Sequence, residues 1–148
     1  MHSLRTNSSN TDFQSLVKAL DEYLTITDGD EHAFYDQFNK ITHIQHVVVV
    51  YNGEQPNACG AIKKYEDGVW ELKRMYVVPE QRGSGAAVFL ITELEQWAKE
   101  LGVERLILET GKRQEAAVAF YHKVGYKVIE NFGQYMGVEN SICFEKHL

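Results

Sequence analysis

The stretch V-P-E-Q-R-G-S-G-A-A-V-F-L-I, residues 78–91, restricts the possible folds more than any other part of the chain. An apolar segment, 69–78, runs into it, and apolar residues at helical spacing leave it. Ala87, Leu90, Ile91, Leu94, Trp97 or Ala98, and Leu101 form one stripe, and Gly102 stops the run. With the Leu- and Ile-rich segment 103–110 behind it, this is a βαβ unit. A helix that starts near Ser84 leaves its first N–H groups unpaired and facing the turn, with roughly half a positive charge from the macrodipole. Gly83 and Gly85 have no side chains to keep an anion from the backbone, and Arg82 adds a guanidinium. The turn is either an anion cradle or a plain strand-to-helix turn that needs glycine for its geometry.

The rest of the chain reads as one globular domain, residues 1–148. A short strand over 3–7 precedes an amphipathic helix from Asp12, with Phe13, Leu16, Val17, Leu20 and Leu24 on its buried side and Ser9, Asn10 or Thr11 as its cap. A second short helix is expected over 32–39. Strands follow at 44–51, 58–65 and 69–78, with turns at N-G and E-D-G. After the βαβ unit come a helix over 115–124 and two closing strands. The pattern predicts an α/β fold, a mixed sheet flanked by helices.

The net charge of −6, with no block of Lys and Arg, argues against a sequence-independent grip on nucleic acid. No apolar run is long enough to span a membrane, and no secretory leader is visible. Cys59 and Cys143 are read as reduced and buried, which with these features gives a cytoplasmic expectation. The six histidines show no ligand spacing, so no metal is expected.

Two phosphate-binding patterns fail. Gly111-Lys112 is followed by Arg113, and Leu106 stands where a P-loop needs its first glycine. A dinucleotide fingerprint needs a third glycine where Val88 stands. The pattern R-x-x-G-x-G/A is met by Arg82, Gly85 and Ala87. Together with L-E-T at a strand end and A-V-A-F-Y-H-K-V-G-Y at 117–126, it resembles the GNAT superfamily of N-acetyltransferases, specifically from about Trp70 to Val128.

The resemblance implies a GNAT-like fold and transfer of acetyl from acetyl-CoA to an amine. Arg82, Gly83, Ser84, Gly85, Ala86 and Ala87 would hold the pyrophosphate, and the backbone of Met75, Tyr76, Val77 and Val78 would line the pantetheine arm between strands 69–78 and 103–110. Gln114 stands where many members carry Asn and is assigned to the pantetheine amides. On spacing alone Tyr121 is a core candidate, because Ala117, Phe120, Tyr121 and Val124 form one helical stripe, but it matches the motif tyrosine, which implies the acid or the contact to sulfur. A backbone N–H near Val77 is the oxyanion donor. A homodimer is a family-level expectation. A coenzyme A-binding or regulatory module without turnover is the alternative, with dinucleotide binding behind it.

Attack of an amine on a thioester also needs a base. Glu71, a carboxylate in a central strand, is the candidate, and Glu109 is its rival. Strict alternation groups Val69, Glu71, Lys73, Met75 and Val77 on one face. Asp30, Glu31, His32, Tyr35 and Phe38 are either an acidic, aromatic wall for a cationic acceptor or one face of a packed helix. The loop 131–140 borders either the acceptor cleft or a dimer contact.

Overall fold

The computed structural model describes residues 1–28 and 43–148. The short helix expected over 32–39 and its acids and aromatics lie outside the described residues. Seven strands form a single sheet: β1 (His2–Thr6), β2 (His46–Asn52), β3 (Gln55–Glu66), β4 (Val69–Val77), β5 (Arg105–Gly111), β6 (Lys127–Ile129) and β7 (Ser141–His147). Among the described residues three α-helices accompany it: α1 (Thr11–Asp28), α2 (Ala86–Glu100) and α3 (Glu115–Lys123). The strand order is β1-β2-β3-β4-β5-β7-β6, antiparallel except for the parallel pair β4 and β5. The architecture is the mixed sheet that the sequence predicts, with boundaries within a few residues.

Side-chain periodicity decides which helix takes which face. Val47 to Val50 of β2 are all fully buried, because consecutive valines point to opposite faces and both faces are covered. Val48 and Val50 pack with Leu90, Ile91 and Leu94 of α2, and Val47 and Val49 with Phe13, Leu16, Val17 and Leu20 of α1. Asn10 caps α1, its Oδ1 accepting the Phe13 N–H at 2.9 Å.

The strict alternation expected for β4 does not hold. Trp70 and Leu72 lie with the α2 core, but so do Met75 and Val77, whereas Tyr76 and Val78 lie under α1. The register explains the change of phase. Ala61 pairs with Lys73 and Cys59 with Tyr76, so Arg74 and Met75 together stand opposite Gly60. This is a β-bulge, with Arg74 at φ +58°, a left-handed conformation that costs an L-residue about 1–2 kcal/mol. Gly60 has a reason of its own. A Cβ there would lie 2.5 Å from Met75 Sδ and 2.8 Å from Leu94 Cδ1. The bulge and α2 therefore close over a strand position that has no side chain. Gly60→Ala should lower unfolding free energy by about 1–3 kcal/mol through overpacking, measured by urea denaturation. An unchanged midpoint would show that Met75 and Leu94 yield freely.

Candidate functional site

The bulge sits where β4 leaves β5. Their parallel pairing covers only Val69 with Arg105, Trp70 with Leu106, and Glu71 with Ile107. Beyond Glu71 the strands diverge, as expected when a bulge bends one of two neighbours. The gap is a cleft, lined on β4 by Glu71 to Met75 and on β5 by Leu108 to Gly111. It runs through the sheet. Gln114, Ala117 and Tyr121 of α3 line one side, and Leu20 and Leu24 of α1 line the other. Four residues singled out in the sequence, Glu71, Met75, Gln114 and Tyr121, therefore meet at one cleft, with Glu109 beside them.

Glu71 is buried, and its carboxylate lies 3.6 Å from Lys73 Nζ. Burial raises its pKa above the usual carboxylate range, while Lys73 and, more weakly, Lys63 pull it back down. Leu106 and Leu108 belong to the α2 core, which puts Glu109 on the opposite face of β5. Its Oε2 accepts a hydrogen bond from Ser141 Oγ at 2.6 Å. Tyr121 is buried among Phe120, Tyr126 and Phe144. Burial, and then the negative charge of Glu109, push its pKa up. Its surroundings therefore keep the phenol protonated and do not make it a stronger acid. Gln114 precedes the first turn of α3 without a side-chain capping bond, so its amide is not spent on the helix end.

The predicted backbone lining divides into two groups. Tyr76 is buried under α1. Val78 N–H donates to the Asn57 carbonyl at 2.9 Å. Antiparallel alternation then turns the Val77 N–H and C=O to the other edge of β4, where the Val77 carbonyl accepts from Arg82 Nε at 3.3 Å. The bulge lies at Arg74 and Met75, two residues earlier than the opening expected near Val77.

Past β4 the glycine turn stands open. The helix begins at Ala86, with Gly85 as its N-cap, within two residues of the start expected near Ser84. Its first hydrogen bond runs from the Phe89 N–H to the Gly85 carbonyl, so the Ala86, Ala87 and Val88 amides have no intrahelical acceptor. Gly83 and Gly85 have φ of +82° and +92°, and a Cβ at either would meet nothing within 4 Å. Packing within the protein therefore does not require bare backbone here. The conformation requires glycine, and the space in front is free for an anion. Arg82 is exposed, with its guanidinium 5.2 Å from the Tyr23 ring centroid. The residues at this turn fit a pyrophosphate.

Tyr135 was not singled out in the sequence. It is buried at the cleft, carried there by the loop between β6 and β7. Of the two readings of 131–140, a place beside the cleft is the one that Tyr135 supports. For Gly60 the sequence does hold a signal, because a glycine inside a strand marks a bulge or a close approach. Among the described residues no group of three His, Cys, Asp or Glu is placed to hold a metal.

The profile of the acetyltransferase (GNAT) family matches residues 13–126. The chain is 38% identical to an IAA acetyltransferase of Azospirillum brasilense over 91 residues, 61% of this chain and 60% of that one. It is 31% identical to the N-acetyltransferase YobR of Bacillus subtilis over 113 residues, 74% of this chain and 45% of that one. The matches thus span about half of these relatives' length. Among solved structures, a Klebsiella pneumoniae protein described as an acyl-CoA N-acyltransferase superposes with a TM-score of 0.83 at 28% identity, covering 99% of this chain and 97% of that one. The PaiA N-acetyltransferase of Thermoplasma acidophilum, in complex with coenzyme A, has the same fold at 17% identity, with a TM-score of 0.73 over 99% and 98% of the two chains.

The raised pKa of Glu71 has a consequence for stability. The folded state binds its proton more tightly than the unfolded state, so the Glu71 contribution is intact in acid and is lost as pH rises through the folded pKa. The stability of Glu71→Gln relative to wild type should therefore climb as pH rises from about 4 toward neutrality, where an unfolded glutamate is already ionised. Urea titrations of both proteins at several pH values check this. A flat or falling difference would mean that burial does not dominate at Glu71.

Proposed function

The chain belongs to the GNAT family of acetyltransferases, and on that premise we propose that it transfers acetyl from acetyl-CoA to a primary amine by direct attack. The observation that carries this reading is the cleft between the diverging β4 and β5, together with the open glycine turn through which the chain passes from β4 to α2. A pyrophosphate fits at the turn, on the amides of Ala86 to Val88 with Arg82 beside them. The pantetheine arm fits between the two strands, with Gln114 and Met75 along it.

The chemistry distributes over both faces of the sheet. From the α1 side, Glu71 takes a proton from the acceptor ammonium, directly or through water, and the neutral amine nitrogen forms a bond to the thioester carbonyl carbon. The oxyanion that develops needs an N–H donor, and the backbone at the bulge, turned out of the regular ladder at Met75, is best placed to give one. The attacking nitrogen gives up a second proton to water, and collapse re-forms the carbonyl, breaks the C–S bond and gives an amide and a thiolate. From the α3 side, the Tyr121 phenol donates a hydrogen bond to the departing sulfur, which takes its proton from solvent on release. A raised pKa suits Glu71 for work near neutral pH, and it suits Tyr121 as a donor that never ionises. No described helix is long and apolar enough to cross a membrane. The two free cysteines accord with a reducing, cytoplasmic setting.

Three measurements test the assignment. Gly85→Glu puts bulk and negative charge where the phosphates would sit. It should abolish acetyl-CoA binding in calorimetry, whereas Gly85→Ala, which carries only the conformational strain, should weaken binding modestly. Equal binding by both variants would remove the pyrophosphate from this turn. Tyr121→Phe should lower kcat about tenfold to a hundredfold, the worth of one hydrogen bond to a charged group, with acetyl-CoA affinity kept. Glu71→Gln should remove the acidic limb of the pH–rate profile. Unchanged turnover in both variants would strip Tyr121 and Glu71 of these roles, whereas acetyl-CoA binding without thiol release by the wild type would favour a coenzyme A-binding module over an enzyme.

A further inference from the structure

Arg74 is unusual in three independent ways. It is a non-glycine residue at φ +58°. Its side chain is 3% exposed, yet it lines the cleft. Its guanidinium is only half used: Nη1 donates to Asp21 Oδ1 at 3.1 Å, while Nε is buried and has no hydrogen-bond partner among the described residues. A buried, unpaired donor on a charged group is costly, and a strained backbone that persists at a cleft points to function. Asp21 occupies one edge of the guanidinium. The edge that carries Nε is the side-on fork that an Arg offers to a carboxylate.

Lys73 is the next residue along, and it too lines the cleft, with Glu71 as its ion-pair partner. The acceptor side of the cleft therefore presents two cations, Lys73 and Arg74, beside two carboxylates, Glu71 and Glu109. Coenzyme A brings no anion to this point, because its phosphates belong at the turn after β4 and its pantetheine arm is uncharged. A polyamine would bring a second ammonium against Lys73 and Arg74. A zwitterion satisfies both signs.

We propose that the acceptor is an amine that also carries a carboxylate, an amino-acid-like zwitterion, and that Arg74 is the residue that selects it. The assignment rests on the acetyl-transfer reading and narrows it. The amine faces Glu71, and the carboxylate takes the free edge of the Arg74 guanidinium, whose other edge Asp21 holds in place. Arg74 is a binding residue here and takes no part in proton transfer.

The test is thiol release from acetyl-CoA with matched acceptors: α- and ω-amino acids, their carboxamides, and the corresponding decarboxylated amines. Wild type should prefer the acids by about tenfold to a hundredfold in kcat/KM, the discrimination expected of one charge-assisted fork. In Arg74→Gln that preference should fall toward unity, chiefly through KM, with acetyl-CoA affinity by calorimetry reporting that the variant is folded. Comparable wild-type rates with acids and carboxamides would overturn the proposal and leave acetyl transfer standing, and this comparison needs no variant. A folded Arg74→Gln that keeps the full preference would overturn the role of Arg74. Acetyl-CoA binding without thiol release from any member of the three sets would overturn both readings.

Discussion

The structure depends on one irregularity, the bulge in β4 where Arg74 and Met75 share a single partner, Gly60. A bulge bends and twists its strand, and here the parallel pairing to β5 stops at Glu71 and Ile107, just before it. The same extra residue reverses the phase of the strand. Glu71 and Lys73 stay on the α1 face, while Met75 and Val77 turn to the face of α2. A regular strand would have kept its pairing with β5 and left no gap.

The gap joins two environments that a closed sheet would keep apart. On the α3 side lie a buried tyrosine and an uncommitted glutamine. On the α1 side lie a buried carboxylate, its lysine partner and a half-paired arginine. Chemistry that brings an acyl carrier and an acceptor together from opposite directions needs such a passage. The glycine turn follows from the same geometry. The chain leaves the displaced end of β4 and starts α2 at Ala86, with the first amides of the helix left without an intrahelical acceptor. Gly60 allows α2 to close down over the bulge, so its absent side chain is as much a part of the site as Glu71.

Most of this was legible in the sequence wherever a period was strong. The heptad-like spacing of Phe13 to Leu24, the four valines of β2 and the stripe of α2 gave their elements within a few residues. The turn at 82–87 could be read because glycine and arginine each state a physical requirement. The bulge could not be read, because the residue at φ +58° is an arginine and nothing in R-M-Y-V marks a break in phase. Its one written trace is Gly60, on the other strand. Two contacts were beyond reach for a different reason. Arg74 meets Asp21 across 53 positions, and Tyr135 reaches the cleft only because β7 pairs with β5 and carries the preceding loop with it. Local pattern carries no information about pairings of that kind.

On the proposed reading, acetyl-CoA lies in the passage opened by the bulge. Amide hydrogen exchange with and without acetyl-CoA tests it most directly, because it reads backbone position and requires no knowledge of the acceptor. Added protection should fall on two segments, the bulge and end of β4 at 74–78 and the start of α2 at 85–88, with the outer strands β1 and β2 unaffected. Saturating acetyl-CoA that protects neither segment, or that protects other parts of the sheet instead, would contradict it.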